Sequence, residues 1–181
     1  MHQLTGHIDV RGIPAAGNAA FANRQVITHQ IREAFASVFG RPAEGLGMEV
    51  VYDVADFQPV AEFRYDGEGW GLCWDGERLV MSDGSSRLTF RDPKTFAVTG
   101  SVGVTLAGQP MDRLNELECV DGVIYANVWQ SDDILRIDPR DGRVTAVIDA
   151  SGLLPPEERR MADVLNGIAW DPRKKTFLIT G

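Results

Sequence analysis

The positions of the histidines and cysteines limit the chemistry that this chain can perform. His2, His7 and His29 are its three histidines. Acid–base chemistry in the later chain must therefore use carboxylates, amides, aromatic side chains or lysine. Cys73 and Cys119 form no Cys-x-x-Cys pair, and with the distant histidines they make no zinc-binding pattern. We interpret both cysteines as buried thiols.

Two tryptophans and one asparagine have side chains that can contact a ligand. Trp70 lies between Gly69 and Gly71, and these glycines would let the backbone crowd a channel while the indole projects into it. The amide of Asn115 can donate hydrogen bonds without titrating. From the residues alone, a tryptophan at such a position is more often a core residue, and an asparagine more often satisfies a turn at a strand entry. We interpret Trp129 in the same way as Trp70.

Several carboxylates lie close to these candidates in the sequence. Glu116 and Glu118 alternate along a strand-like stretch, which favours a packing or solvent-facing side for both. Four further aspartates could be imagined as metal ligands of an unrelated enzyme, although they are better explained as turn residues: Asp83, Asp132, Asp133 and Asp163.

The elements that would position these residues are short strands. From residue 50 onward, runs of β-branched, aromatic and aliphatic residues end at Asp-Gly or Asp-Pro pairs, which is typical of an all-β meander. The pairs are Asp75-Gly76, Asp92-Pro93, Asp121-Gly122 and Asp138-Pro139.

The strands belong to a repeat. Similar stretches begin at Trp70, Asn115 and Asn166, with starts 45 and 51 residues apart. A second similar stretch follows Asp53, Asp92 and Asp138. A four-stranded unit of this period predicts a β-propeller blade. We expect Trp70, Asn115 and Trp129 to open successive equivalent sheets and to converge on a common axial cavity.

The number of repeats predicts an incomplete ring. The chain holds the outer half of one blade, two whole blades and the inner half of a fourth, about three blades in all, whereas propellers close with roughly four to eight. We expect a chain truncated at its C-terminus, where it stops at Thr180-Gly181 inside a repeat. Open blade edges would favour self-association.

The first 49 residues differ in character from the rest. They contain four arginines and four acidic residues, so residues 50–181 carry the whole net charge of −8. Apolar residues at helical spacing predict a helix near residues 24–39, ended by Gly40 and Pro42. We therefore divide the chain into an atypical N-terminal segment, 1–49, and a partial propeller domain, 50–181.

Charge and hydropathy exclude two classes of partner. A net charge of −8 argues against nucleic-acid binding, which needs a surface rich in lysine and arginine. No apolar run approaches the roughly 18–20 residues that would cross a bilayer. No secretory signal is visible at the N-terminus, so the sequence as written predicts a cytoplasmic protein.

Five sequence blocks, in the right order, resemble signatures of plant and bacterial glutaminyl cyclases. They are Gly67-Glu-Gly-Trp-Gly-Leu72, Met81-Ser-Asp-Gly-Ser85, Leu114-Asn-Glu-Leu-Glu118, Ala126-Asn-Val-Trp129 and Val164-Leu-Asn-Gly-Ile-Ala-Trp-Asp171. The resemblance covers about residues 50–181 and implies a five-bladed propeller with its active site at one end of the central channel. It is to the metal-independent type, not to the zinc-dependent animal enzymes.

The resemblance implies an acyltransferase, a glutaminyl-peptide cyclotransferase. Such an enzyme takes peptides or proteins with an N-terminal glutamine and converts that residue to pyroglutamate without a cofactor, releasing ammonia. By similarity, Trp70 and Trp129 line the substrate pocket, and Asn115 is an active-site residue that holds the substrate carboxamide or its oxyanion. Family members are often exported.

Two further family positions concern catalysis directly. Glu44, in Ala43-Glu44-Gly45-Leu46, is similar to the family's catalytic glutamate and is our candidate proton shuttle; the alternative is an ordinary loop carboxylate. The family also continues the Ile-Thr-Gly ending with an active-site lysine, whereas this sequence ends at Gly181. If the chain is whole, we expect weak or no cyclase activity. The alternative function is a non-catalytic propeller remnant that binds peptides or protein partners.

Overall fold

The computed structural model describes residues 24–27, 46–53, 55–154, 159 and 163–180, and these residues form fifteen β-strands. Two of the sheets are four-stranded antiparallel meanders. The first contains β4 (Gly71–Trp74), β5 (Leu79–Ser82), β6 (Arg87–Arg91) and β7 (Val98–Gly103). The second contains β10 (Leu114–Val120), β11 (Val123–Val128), β12 (Asp133–Ile137) and β13 (Val144–Asp149).

Three smaller sheets accompany them. One has the order β1 (Arg24–Ile27), β2 (Leu46–Asp53), β3 (Pro59–Asp66), and another pairs β14 (Gly167–Asp171) with β15 (Thr176–Thr180). A two-stranded hairpin joins β8 (Thr105–Leu106) to β9 (Gln109–Pro110). In the described part of the chain, no helix is long and apolar enough to cross a membrane.

The inner strands β4, β10 and β14 lie side by side, with β10 packed between the other two. Meander sheets packed along their first strands make this a partial β-propeller, so the expected all-β fold class is confirmed. The predicted N-terminal helix is not confirmed. Arg24–Ile27, at its start, form strand β1, which pairs antiparallel with β2 from Arg24 opposite Asp53 to Ile27 opposite Val50. Residues 28–39 of the predicted helix lie outside the described residues.

The internal repeat is confirmed by equivalent turns. The backbone N–H groups of Asp53, Asp92 and Asp138 each donate to the carbonyl five residues later, at 2.9, 2.8 and 3.0 Å. A β-bulge precedes each of these aspartates, between positions 51 and 52, 90 and 91, and 136 and 137. Each aspartate side chain also accepts from the backbone N–H two residues on. The shared Asp turn therefore fixes the same corner in three sheets.

Apolar side chains fill the space between the two four-stranded sheets. The alternation along each strand points one set of residues inward. The fully buried members of this core are Val80, Leu88, Val104, Leu114, Ala126, Leu135 and Ile137. The boundary that we placed at residue 50 remains a prediction, although β2 runs continuously through it from Leu46 to Asp53.

The two cysteines are not free thiols. Cys73 on β4 and Cys119 on β10 form a disulfide, with their Cα atoms 5.5 Å apart. Each residue pairs within its own sheet, Cys73 with Val80 and Cys119 with Ile124. The bond therefore links the inner strands of neighbouring sheets, and our interpretation of buried thiols was wrong because it considered sequence spacing alone.

Candidate active site

Three residues stand at the same end of the three inner strands. Trp70 directly precedes β4, Asn115 is the second residue of β10, and Asn166 directly precedes β14. The backbone N–H of Trp70 donates to the Ser82 carbonyl at 2.9 Å, and that of Asn166 donates to the Thr180 carbonyl at 2.9 Å. These equivalent bonds show that Trp70 and Asn166 occupy corresponding backbone positions at the starts of their inner strands.

The two candidate pocket tryptophans touch each other. The ring centroids of Trp70 and Trp129 are 5.6 Å apart at an interplanar angle of 77°, an edge-to-face contact. Trp129 does not open an inner strand, as we had expected, but follows β11, and its N–H donates to the Arg113 carbonyl at 2.8 Å. Strand β11 runs antiparallel to the inner strand β10, so β11 ends beside the start of β10. Trp129 therefore lies at the same end of the sheets as Trp70 and contacts it. Trp129 remains 37% exposed.

Glycines make room around Trp70. A Cβ atom at Gly71 would overlap the Asn115 carbonyl, and one at Gly69 would overlap the Tyr65 hydroxyl. The expected crowding of the backbone on both sides of Trp70 is therefore confirmed. Gly84 lies under the indole, where its φ of +82° would strain any other residue and a Cβ would lie only 2.7 Å from the ring. Trp70 Nε1 donates to the Glu68 carboxylate at 3.0 Å.

Asn115 is held from two sides. Its side chain is buried, with 4% exposed, and Nδ2 donates a hydrogen bond to Oδ1 of Asn166. Its carbonyl accepts from the Ser82 hydroxyl at 2.6 Å. The residue thus connects the sheet before it to the sheet after it. The alternative interpretation was that Asn115 only satisfies a turn at a strand entry. Its side chain instead reaches Asn166 on another sheet.

The candidate proton shuttle, Glu44, lies outside the described residues, so its role remains a prediction. A different glutamate is buried near Trp70. Glu49 on β2 is fully buried, and its Oε1 accepts from the Tyr65 hydroxyl at 3.2 Å. A Cβ atom at Gly69 would lie 3.4 Å from this Oε1, and Oε2 has no hydrogen-bond partner among the described residues.

Burial raises the pKa of Glu49 from 4.5 to about 7, because the ionised carboxylate is removed from water. The Tyr65 hydrogen bond and the charge of Arg91 act in the opposite direction, while the charge of Glu116 adds to the rise. Arg91 Nη1 donates to the Phe96 carbonyl at 3.0 Å, and its guanidinium lies 4.7 Å from the Tyr65 ring. Burial lowers the pKa of Arg91.

Glu118 is the second glutamate with a raised pKa. Burial raises the pKa of Glu118 to about 7, and a hydrogen bond from the Trp170 backbone N–H opposes the rise. Trp170 belongs to β14, so Glu118 lies on the packing side between two sheets, as its alternation with Glu116 predicted. Its position opposite Tyr125 places it further along β10 from the end that carries Asn115.

Of the four aspartates considered as metal ligands, Asp83, Asp132 and Asp163 lie outside strands, whereas Asp133 is the first residue of β12. Asp83 accepts from the backbone N–H of Ser85 at 3.0 Å, and Asp132 forms an ion pair with Arg159. No group of three or more His, Cys, Asp or Glu side chains among the described residues could hold a metal ion.

Sequence reasoning missed two residues of this region. Asn166 had a signal, because the repeat aligned it with Trp70 and Asn115. Glu49 had a weaker one, an acidic residue in the otherwise apolar stretch Met48 to Val51. Only the packing of β2 and β3 against the next sheet shows that Glu49 is buried.

The comparisons with known proteins concern mainly this part of the chain. The family model described as Glutamine cyclotransferase matches residues 45–181. A glutaminyl-peptide cyclotransferase of Arabidopsis thaliana is 44% identical over 135 residues, which are 72% of this chain and 42% of that protein. The crystal structure of Myxococcus xanthus glutaminyl cyclase superposes with a TM-score of 0.67 at 46% identity, covering 76% of this chain and 60% of that one.

A second similarity concerns the N-terminal part. The family model described as tRNA-splicing ligase RtcB matches residues 9–64. An Archaeoglobus fulgidus protein of that name is 46% identical over 63 residues, which are 34% of this chain and 13% of that protein. The two family models overlap between residues 45 and 64, the part that contains β2, most of β3 and Glu49. The chain spans less than half of the plant relative and three fifths of the bacterial structure.

Proposed function

The chain belongs to the glutamine cyclotransferase family, and from this membership we propose that the protein converts the N-terminal glutamine of peptides to pyroglutamate, with release of ammonia. The observation that carries the proposal is the contact between Trp70 and Trp129 at the end of the inner strands where Asn115 also lies. Two aromatic faces and one amide donor suit a short, neutral carboxamide side chain.

The reaction is an intramolecular aminolysis. The α-amine nitrogen of the glutamine attacks its own side-chain amide carbon, forming a five-membered ring and a tetrahedral oxyanion. The bond from that carbon to the amide nitrogen then breaks, and ammonia leaves with a proton that originates from the attacking amine. Because Asn115 uses one Nδ2 hydrogen for Asn166, the second remains for the substrate oxyanion.

Proton transfer from the amine to the leaving nitrogen needs a carboxylate in contact with the substrate. We assign this role to Glu44 on its sequence motif. Glu49 has a pKa of about 7, which suits proton transfer, but its carboxyl group is fully buried and already accepts a hydrogen bond from the Tyr65 hydroxyl. Asn115 serves as oxyanion donor, and Trp70 with Trp129 orient the glutamine.

The test is incubation of the folded protein with a peptide that begins with glutamine. We expect ammonia to appear in step with a peptide mass lower by one ammonia molecule. An N-acetylated peptide, whose amine cannot attack, and a sample without protein are the controls. A folded protein that gives no turnover above the protein-free sample would contradict catalysis, and peptide binding by that sample would support the non-catalytic alternative.

Self-association and the compartment of the protein are proposed from two separate observations. Among the described strands, β15 pairs only with β14, and Leu178 on β15 is 49% exposed, which supports self-association through a sheet edge. Light scattering at several concentrations tests self-association, and a constant monomer mass would contradict it.

The Cys73–Cys119 disulfide supports a compartment that is oxidising rather than cytoplasmic.

A further inference from the structure

Asn166 stands next to Asn115 but on a different sheet. Its backbone N–H is bound to the Thr180 carbonyl at 2.9 Å, which fixes it at the start of β14. Gly167, the next residue, packs closely against Thr180, because a Cβ there would lie 2.2 Å from Oγ1 of Thr180 unless that side chain moved. The side chain of Asn166 is therefore presented from a closely packed backbone, and its Oδ1 accepts from Nδ2 of Asn115.

The amide of Asn115 needs such a partner if it is to act as a donor. A primary amide can rotate by half a turn and then presents oxygen where it presented nitrogen. Ser82 holds only the backbone carbonyl of Asn115, at 2.6 Å. With Oδ1 of Asn166 as the acceptor, the Asn115 amide has Nδ2 toward β14, and this orientation sets the direction of the second Nδ2 hydrogen.

We infer that Asn166 is a positioning residue, which fixes the side-chain amide of Asn115 so that its free N–H points to the reacting carboxamide. A neutral amide suits this role, because it accepts the hydrogen bond without adding a charge beside a developing oxyanion. The repeat aligns Asn166 with Trp70 and Asn115 of the two preceding sheets, so each of three sheets supplies one side chain from the same end of its inner strand.

The first test does not need turnover. In ¹H–¹⁵N NMR spectra, the side-chain amide signals of Asn115 are identified by their loss in Asn115→Ala. We expect their exchange with solvent to become about tenfold faster in Asn166→Ala, because a hydrogen bond is lost. Asn166→Asp keeps an acceptor of the same shape and should retain the slow exchange. Thr145→Ala, on the outer strand β13, is the control for an unrelated polar deletion. Unchanged exchange in Asn166→Ala would overturn the inference.

The second test concerns catalysis and rests on the proposed function. Asn166→Ala should lower kcat by about 10- to 100-fold with a much smaller change in KM, since geometry rather than binding is lost. In an Asn115→Ala background the same substitution should have no further effect on kcat. If the reductions of kcat caused by Asn166→Ala and Asn115→Ala multiplied in the double variant, the inference would be overturned. A wild-type protein without turnover would instead contradict the proposed function, and the NMR result would still decide the role of Asn166.

Discussion

The hydroxyl of Tyr65 donates to the buried carboxyl group of Glu49, at a position that the following sheets fill with apolar side chains. Glu49 lies four residues before the turn aspartate Asp53, as Leu88 and Ile134 lie four residues before Asp92 and Asp138. Leu88 is fully buried and Ile134 is 4% exposed. The first sheet thus presents an ionisable group where its neighbours present only hydrocarbon.

Stability should depend on pH through this group. Folding raises the pKa of Glu49 from 4.5 to about 7, so the folded state favours the protonated carboxyl. The contribution of protonated Glu49 to the free energy of unfolding is complete below about pH 4.5 and is lost as the pH rises toward 7. We expect the free energy of unfolding, from urea titrations, to fall across this range and to fall less in Glu49→Gln. Glu118 contributes in the same direction. An exposed control, Glu77→Gln, should keep the wild-type profile, and an unaltered slope in Glu49→Gln would contradict the prediction.

Reduction of the Cys73–Cys119 bond should destabilise the protein. A disulfide lowers the entropy of the unfolded chain. It thereby raises the free energy of unfolding, typically by about 2–4 kcal/mol. We expect urea unfolding to shift to lower concentration when a reductant is present. The double variant Cys73→Ala/Cys119→Ala should behave like the reduced protein and should not respond to reductant. Equal unfolding midpoints with and without reductant would show that the bond contributes nothing.

The place of Trp70 depends on Gly84, and a second glycine offers a matched control. Gly84 and Gly108 have nearly equal φ angles, +82° and +81°, but only Gly84 has the indole within reach of a Cβ. Alanine at either position should cost about 1–2 kcal/mol for the left-handed backbone. Only Gly84→Ala should also displace Trp70 from Trp129, altering near-UV circular dichroism and raising KM. Identical spectra for the two variants would contradict the contact.

Trp129 should contribute to substrate binding more than to the chemical step. It is 37% exposed beside Trp70, where a substrate could cover it. We expect Trp129→Ala to raise KM by about tenfold and to change kcat less, since an aromatic contact of this kind is worth about 0.5–1.5 kcal/mol. Trp170→Phe, which keeps an aromatic ring against Phe177, is the control. A loss of kcat at unchanged KM would assign Trp129 a different role.

Much of the fold could be predicted from local sequence signals. The Asp turns and the apolar runs between them specify strands without long-range information, which is why the repeat and the position of Asn115 were identified. The start of the predicted helix, residues 24–27, is a strand for a tertiary reason. Val26 and Ile27 fit a helical period, but β2 offers them a strand partner, and short apolar runs fit either structure.

The contacts between sheets could not be predicted in this way. Cys73 and Cys119 are 46 residues apart, and only the neighbouring inner strands bring them together. The same holds for the bond from Asn115 to Asn166 and for the burial of Glu49. Each depends on which sheets pack together, which no local period encodes.

The disulfide also has a consequence for proteolysis. The covalent loop closed by Cys73 and Cys119 contains strands β5 to β9 and every turn between them. A protease that cut once within this loop would leave both products joined, so a nicked molecule would keep its full mass until a reductant released the two halves.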